Sequence, residues 1–192
     1  MSNFLAYLSK MKHIKRWGLM RNTREENVQE HSLQVAMIAH ALATVKNALF
    51  GGNVDVRRVL ELALFHEAGE VITGDLVTPI KYFNREIKTA YKHIEEVANQ
   101  RLLDMLPEEL QKDYAPLLSK EGRSGEEWRV VKRADRICAY LKCVEELRTG
   151  NAEFMRAKEN ILADIKAMDA PEVEYFMREF APAFELTLDE LN

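Results

Sequence analysis

Three positions in this 192-residue chain place metal-binding chemistry where apolar side chains belong. His31 lies on the stripe His31, Val35, Ile38, Leu42, Val45. His66 lies on the stripe Val56, Val59, Ala63, His66, Glu70, and Asp135 on Trp128, Val131, Asp135, Cys138, Leu141. Spacings of three and four put each set on one helical face. An ionised carboxylate on such a face is costly unless it is paired or binds a metal. Glu67 follows His66 directly, Glu70 stands one turn further on, and Asp75 follows Gly74 in a turn. Two imidazoles with two carboxylates suit a divalent transition metal that keeps positions open for water and phosphate oxygens. Taken singly, each residue has a plainer reading. A histidine on an apolar face is usually a satisfied core residue, and Asp135 serves equally as a cap or ion-pair partner. Arg16 reads as a solvated charge beside Trp17, Glu70 as a helix-end ion-pair partner, and Asp75 as a turn residue. The convergence of three helices on one interior favours the metal. His40 projects about 180° from His31 on the same helix, and His13 and His93 read as surface residues.

The elements that must position these residues are helical throughout. Periodicity stays near 3.6, with no alternating run long enough for a sheet. Helices are expected over about residues 3–13, Val28–Leu49, Val54–Val71, 85–106 and 108–118, from Ser124 to Gly150, over Ala152–Met168, and after Pro171. Gly51 and Gly52 stop the second. Asn84 caps the fourth, Ser124 and Glu127 form a capping box, and Pro171 takes a first helical position. Residues 73–79 read as a loop. No linker or repeat divides the chain, so the expectation is one all-α domain over 1–192.

Composition narrows the function classes. The chain is 47% hydrophobic and 30% charged with a net charge of −4. That argues against a nucleic-acid polymer or polybasic membrane surface as partner. No apolar run reaches the roughly 18 residues of a spanning helix, and the N-terminal stretch is amphipathic rather than signal-like. Cys138 and Cys143 sit about 140° apart on one helix and cannot pair without unwinding it. Free thiols and no export signal point to the cytoplasm.

Longer motifs carry a resemblance. They are Arg16-Trp17-Gly18-Leu19-Met20-Arg21-Asn22, Glu26-Asn27-Val28-Gln29-Glu30-His31-Ser32-Leu33-Gln34-Val35-Ala36, Thr73-Gly74-Asp75-Leu76-Val77-Thr78-Pro79-Ile80-Lys81-Tyr82-Phe83-Asn84 and Ala139-Tyr140-Leu141-Lys142-Cys143. Over nearly its whole length the chain resembles the YfbR-type 5′-deoxynucleotidases of the HD-domain phosphohydrolase superfamily. The resemblance implies a helical HD-domain fold that hydrolyses deoxyribonucleoside 5′-monophosphates to nucleoside and phosphate. It implies His31, His66 and Asp135 as ligands of a divalent cation such as cobalt or manganese, with Glu67 at the fourth ligand position. Arg16 would hold the phosphate and Trp17 pack near the sugar. Asp75, Leu76, Val77 and Thr78 would line the substrate pocket, with Glu70 and Asp75 as catalytic carboxylates. His31, Glu67 and Asp135 would face the substrate as well as the metal. A homodimer is implied too; Phe176, Phe180 and Phe184 offer apolar surface for it or equally for the core. The chain departs from the pattern twice, with Glu67 where the family has Asp and Val77 where its pocket loop has Pro. Besides this reading stand another HD-type nucleotide phosphohydrolase, a nucleotide binder whose metal site Glu67 has altered, and a helical interaction protein without metal.

Overall fold

The computed structural model describes residues 1–81 and 83–191, without the side chains of Thr78 and Lys81. Its α-helices in chain order are α1 (Phe4–Leu8), α2 (Val28–Leu49), α3 (Val56–Phe65), α4 (Glu70–Thr73), α5 (Thr78–Lys81), α6 (Arg85–Leu103), α7 (Glu108–Leu118), α8 (Gly125–Arg148), α9 (Met155–Lys166) and α10 (Pro171–Glu179). Short 3₁₀ turns stand at Ser9–His13, Ala152–Phe154, Ala181–Glu185 and Leu188–Leu191. No strand occurs among the described residues; one isolated antiparallel bridge pairs Lys15 with Asn27. The all-α expectation holds.

Helix α2 is the centre of the packing. The Asn27 side chain accepts from the amides of Gln29 and Glu30, both at 3.0 Å, satisfying two donors that a helix start leaves bare. The buried face of α2 carries His31, Val35, Ile38 and Leu42 and packs against α3, α8 and α10. On the other side of α3 and α4, α6 and α7 close the core, with Leu102 and Leu118 fully enclosed. No described helix is long and apolar enough to cross a membrane.

Local structure departs from the sequence expectations where the site is built. The helix expected to run to Val71 stops at Phe65. Beyond it, Ala68, Glu70 and Val71 donate to carbonyls three residues back, a tightened turn that ends in the short helix α4. This turn is where His66 and Glu67 project. The loop expected over 73–79 contains the start of α5. The capping box at Ser124 does not form. The Ser124 hydroxyl donates to the Glu121 carbonyl, and Glu127 accepts from the Asp55 amide instead. Tertiary contacts thus outcompete the local cap. The first expected helix turns 3₁₀ after Leu8, and Ala152–Phe154 is a 3₁₀ turn before α9. Asn84 caps α6 and Pro171 opens α10 as expected. Of the C-terminal phenylalanines, Phe176 is core, while Phe180 and Phe184 are each 43% exposed. His13, His40 and His93 are exposed, His40 as its spacing from His31 predicts. Both cysteines are free and buried.

The segment between α1 and α2 is fixed at both ends and at its tip. Its ends zip together: the Arg16 amide donates to the Glu26 carbonyl at 2.9 Å and the Val28 amide to Ile14 at 3.0 Å. Its tip is held by the fully buried Glu146 of α8, which accepts from Thr23 N at 2.9 Å, Thr23 Oγ1 at 2.8 Å and Arg24 N at 3.2 Å. Lys142 donates to the same carboxylate and to the Arg24 carbonyl.

Candidate metal centre and phosphate clamp

His31, His66, Glu67 and Asp135 converge. One ligand atom from each lies within 4.8 Å of all the others. α2 contributes His31, the turn after α3 contributes His66 and Glu67, and α8 contributes Asp135. The His31 and His66 rings stand 5.5 Å apart. His31 Nε2 lies 3.1 Å from Asp135 Oδ1 and 3.9 Å from Glu67 Oε2, and His66 Nε2 lies 3.7 Å from Glu67 Oε1. Lys132 donates to the other oxygen of Asp135.

The donor set fits a divalent cation. His66 Nδ1 is 2.8 Å from the Ala63 carbonyl, which can only accept, so Nδ1 carries the proton and Nε2 the lone pair. That Nε2 is buried and has no hydrogen-bond partner, an arrangement a metal bond would satisfy. Burial pushes the His66 pKa down to about 4, outweighing the pull of Glu67 and Asp135, so the ring is neutral. At His31, burial and the Arg16 charge push down, but Glu67, Asp135 and Glu26 together lift it to about 9. Three carboxylates around one imidazole create a field that calls for positive charge. Burial opposes ionisation of Glu67, yet Arg16 and the two histidines hold its pKa down to about 2. Asp135 is held well below the usual carboxylate range by Lys132 and His31 against the cost of burial.

Arg16 reaches the same centre from the α1–α2 segment. Its Nη1 donates to Glu67 at 2.8 and 3.0 Å, and its Nε to Glu26 Oε2 at 3.1 Å. Nη2 donates to none of the described residues, which leaves one edge of the fork for an oxyanion. Burial opposes the charge, but Glu67, Glu26, Asp135 and Asp75 raise the Arg16 pKa above its usual value. Trp17 has φ 59°, a left-handed conformation that costs a bulky residue about 1–3 kcal/mol. Its indole Nε1 donates to Glu26 at 3.0 Å and its ring packs on Phe154 at 5.3 Å.

The other expected site residues lie along one stretch. Glu70 is buried at the start of α4, and Asp75 is close enough for Arg16 to feel its charge. Leu76 and Val77 are half-buried before α5. The Thr78 side chain, expected in the substrate pocket, lies outside the described residues. Glu26 is the residue that spacing did not single out. It sits ten positions from Arg16, and only the pairing of segments 14–16 and 26–28 brings the two together.

The profile of the YfbR-like 5′-deoxynucleotidases matches residues 3–184. A 5′-deoxynucleotidase YfbR from Escherichia coli is 56% identical over 191 residues, covering 100% of this chain and 96% of the relative. The chain belongs to the YfbR-like 5′-deoxynucleotidase family. Among solved structures, an HD-domain phosphohydrolase from Listeria innocua superposes with a TM-score of 0.83 at 27% identity, covering 95% of this chain and 88% of that one. The cyanophage S-2L HD phosphohydrolase, bound to dA and one catalytic Zn²⁺, shares the fold with a TM-score of 0.64 at 23% identity, covering 95% of this chain and 96% of that one. In this YfbR-like chain two helices and one tight turn meet at His31, His66, Glu67 and Asp135.

Proposed function

We propose that this chain is a divalent-metal-dependent 5′-deoxynucleotidase, hydrolysing deoxyribonucleoside 5′-monophosphates to deoxyribonucleoside and phosphate. The observation that carries the reading is the juxtaposition of the four-residue donor cluster with Arg16, in a chain 56% identical to a 5′-deoxynucleotidase along its full length. His31, His66, Glu67 and Asp135 would hold the ion, with cobalt or manganese suited to the mixed nitrogen and oxygen donors. A divalent ion there supplies Lewis-acid neutralisation of the phosphoryl oxygens and lowers the pKa of water.

The chain's own residues do the rest. Arg16 presents Nη2 to the phosphate dianion while Glu26 and Glu67 hold the rest of the guanidinium in place. That orients the ester for in-line attack, where catalysis is mainly positioning and charge stabilisation. Trp17 stands against the sugar, and its bulk disfavours a 2′-hydroxyl. Glu70 positions or deprotonates the attacking water, and Asp75 assists proton delivery to the departing 5′-oxygen; the two roles are exchangeable. Asp75, Leu76, Val77 and Thr78 line the pocket. Water oxygen bonds to phosphorus, the P–O5′ bond breaks, and a proton reaches the 5′-oxygen. The same reading takes 1–192 as one domain in the cytoplasm, forming a homodimer to which exposed Phe180 and Phe184 offer apolar surface.

The Glu67–Arg16 ion pair favours a second reading, a nucleotide binder in which Arg16 is too engaged for turnover. A nucleotide panel with product analysis separates the two. Release of inorganic phosphate from dAMP, dGMP and dCMP supports the nucleotidase. Binding of these nucleotides without phosphate release refutes it.

A further inference from the structure

We propose that Glu26 is a positioning residue that locks the phosphate clamp Arg16 and the sugar wall Trp17 into one rigid unit. Through them it sets both turnover and the discrimination between deoxyribose and ribose. The inference rests on the nucleotidase reading for what Arg16 and Trp17 do.

The Glu26 carboxylate lies outside the donor cluster but touches every group that addresses the substrate from the α1–α2 segment. Oε2 accepts from Arg16 Nε at 3.1 Å and from Trp17 Nε1 at 3.0 Å. Oε1 faces His31 Nδ1 at 3.6 Å, on the ring edge opposite the nitrogen that points at Asp135 and Glu67. The Glu26 side chain is only 11% exposed, so these contacts are poorly replaced by water. Its backbone is fixed as well, by the Arg16 amide and by the start of α2 two residues later. Trp17 needs such an anchor. Its left-handed backbone is strained for a bulky residue; the Trp17 carbonyl accepts from the Met20 amide at 2.9 Å, and the indole is held by its bond to Glu26 and its packing on Phe154. One acceptor oxygen shared by Arg16 and Trp17 makes the phosphate and sugar positions interdependent.

Glu26→Gln tests this. The amide loses the charge and keeps one acceptor oxygen, so it either gives up the Arg16 and Trp17 donors or, keeping both, turns its NH₂ toward the buried His31 Nδ1 3.6 Å away. The variant is expected to lower kcat/KM for dAMP by about 10–100-fold, the usual cost of losing a group that orients site residues. It should weaken inhibition by inorganic phosphate and shrink the dAMP over AMP preference. In a Trp128→Phe background, where Trp17 is the remaining tryptophan, its emission should shift and become more quenchable. Glu26→Asp, which keeps the charge but retracts it, should move the same readouts in the same direction by less, and it serves if the Gln variant folds poorly. A lowered melting temperature with unchanged phosphate inhibition, sugar preference and Trp17 emission would overturn the proposal, since a purely structural ion pair predicts that pattern. Wild-type protein inert on all deoxynucleotides would refute the nucleotidase reading instead; Trp17 emission and binding of inorganic phosphate would still decide the positioning role.

Discussion

Glu67→Asp is the perturbation whose outcome the geometry constrains most tightly. Glu67 spans two tasks, lying 3.7 Å from His66 Nε2 while both its oxygens hold Arg16 Nη1, at 2.8 and 3.0 Å. Removing one methylene retracts the carboxylate by about 1.5 Å, the length of one C–C bond. The Arg16 contact then opens to about 4 Å, beyond hydrogen-bonding range. A charge-assisted bond of this kind contributes about 1.5–3 kcal/mol, and a phosphate that forks across Nη1 as well as the open Nη2 must displace it from Nη1. At 1.4 kcal/mol per decade, freeing Arg16 is worth about tenfold or more in apparent phosphate affinity. Glu67→Asp is therefore expected to lower KM for dAMP by about tenfold and to raise kcat/KM accordingly. Metal binding should persist, because His31, His66 and Asp135 are unchanged. Steady-state phosphate release with dAMP, alongside calorimetric titration with Mn²⁺, reads both quantities. An unchanged or higher KM, or lower kcat together with weaker metal binding, would refute the reasoning and mean that the centre is adapted to the longer side chain.

Arg16→Ala should lower kcat/KM for dAMP by about 100-fold or more, as loss of a group facing transition-state charge does, while calorimetry still finds the metal bound. Gly122→Ala should destabilise the fold by about 1–3 kcal/mol, read as a lower urea midpoint, because the added Cβ would meet the Pro116 carbonyl oxygen at 2.0 Å. The neighbouring Arg123 caps Phe65 O at 2.6 Å, just before His66, so activity should fall too. Burial opposes ionisation of Glu146, but Lys142, Thr23 and Asn151 hold its pKa down to about 2. A carboxylate depressed in the folded state stabilises above its unfolded pKa of about 4.3 and loses that contribution as pH falls toward 2. Glu146→Gln should therefore be less stable than wild type at pH 7, with a shallower loss of stability on acidification, measured as urea midpoints against pH.

Much of the candidate cluster was legible because polar groups on apolar stripes have few physical explanations. His31 and His66 repeat with the helical period, and both stripes proved buried apart from the half-buried Val56. Asp135 follows the same logic, although it keeps partial exposure on α8. The break after Phe65 was not legible, since residues 66–71 have helical composition. The turn there is set by tertiary fit, with Gly69 lying where a Cβ would come within 2.8 Å of Asn99 Oδ1 on α6. The Ser124 box failed for a similar reason, because Glu127 found the Asp55 amide. Glu26 and the Arg16–Glu67 pair depend on contacts between segments ten and fifty-one residues apart, which periodicity does not encode.

The central claim is that one divalent ion held by His31, His66, Glu67 and Asp135 is required for phosphate release. Its most direct test is a titration of chelator-stripped protein with Mn²⁺ or Co²⁺, following phosphate release from dAMP. The account predicts no turnover when stripped, a rise to a plateau at one ion per chain, and loss of that plateau in His66→Ala. Full turnover by the stripped protein, or a plateau that His66→Ala leaves in place, would contradict it.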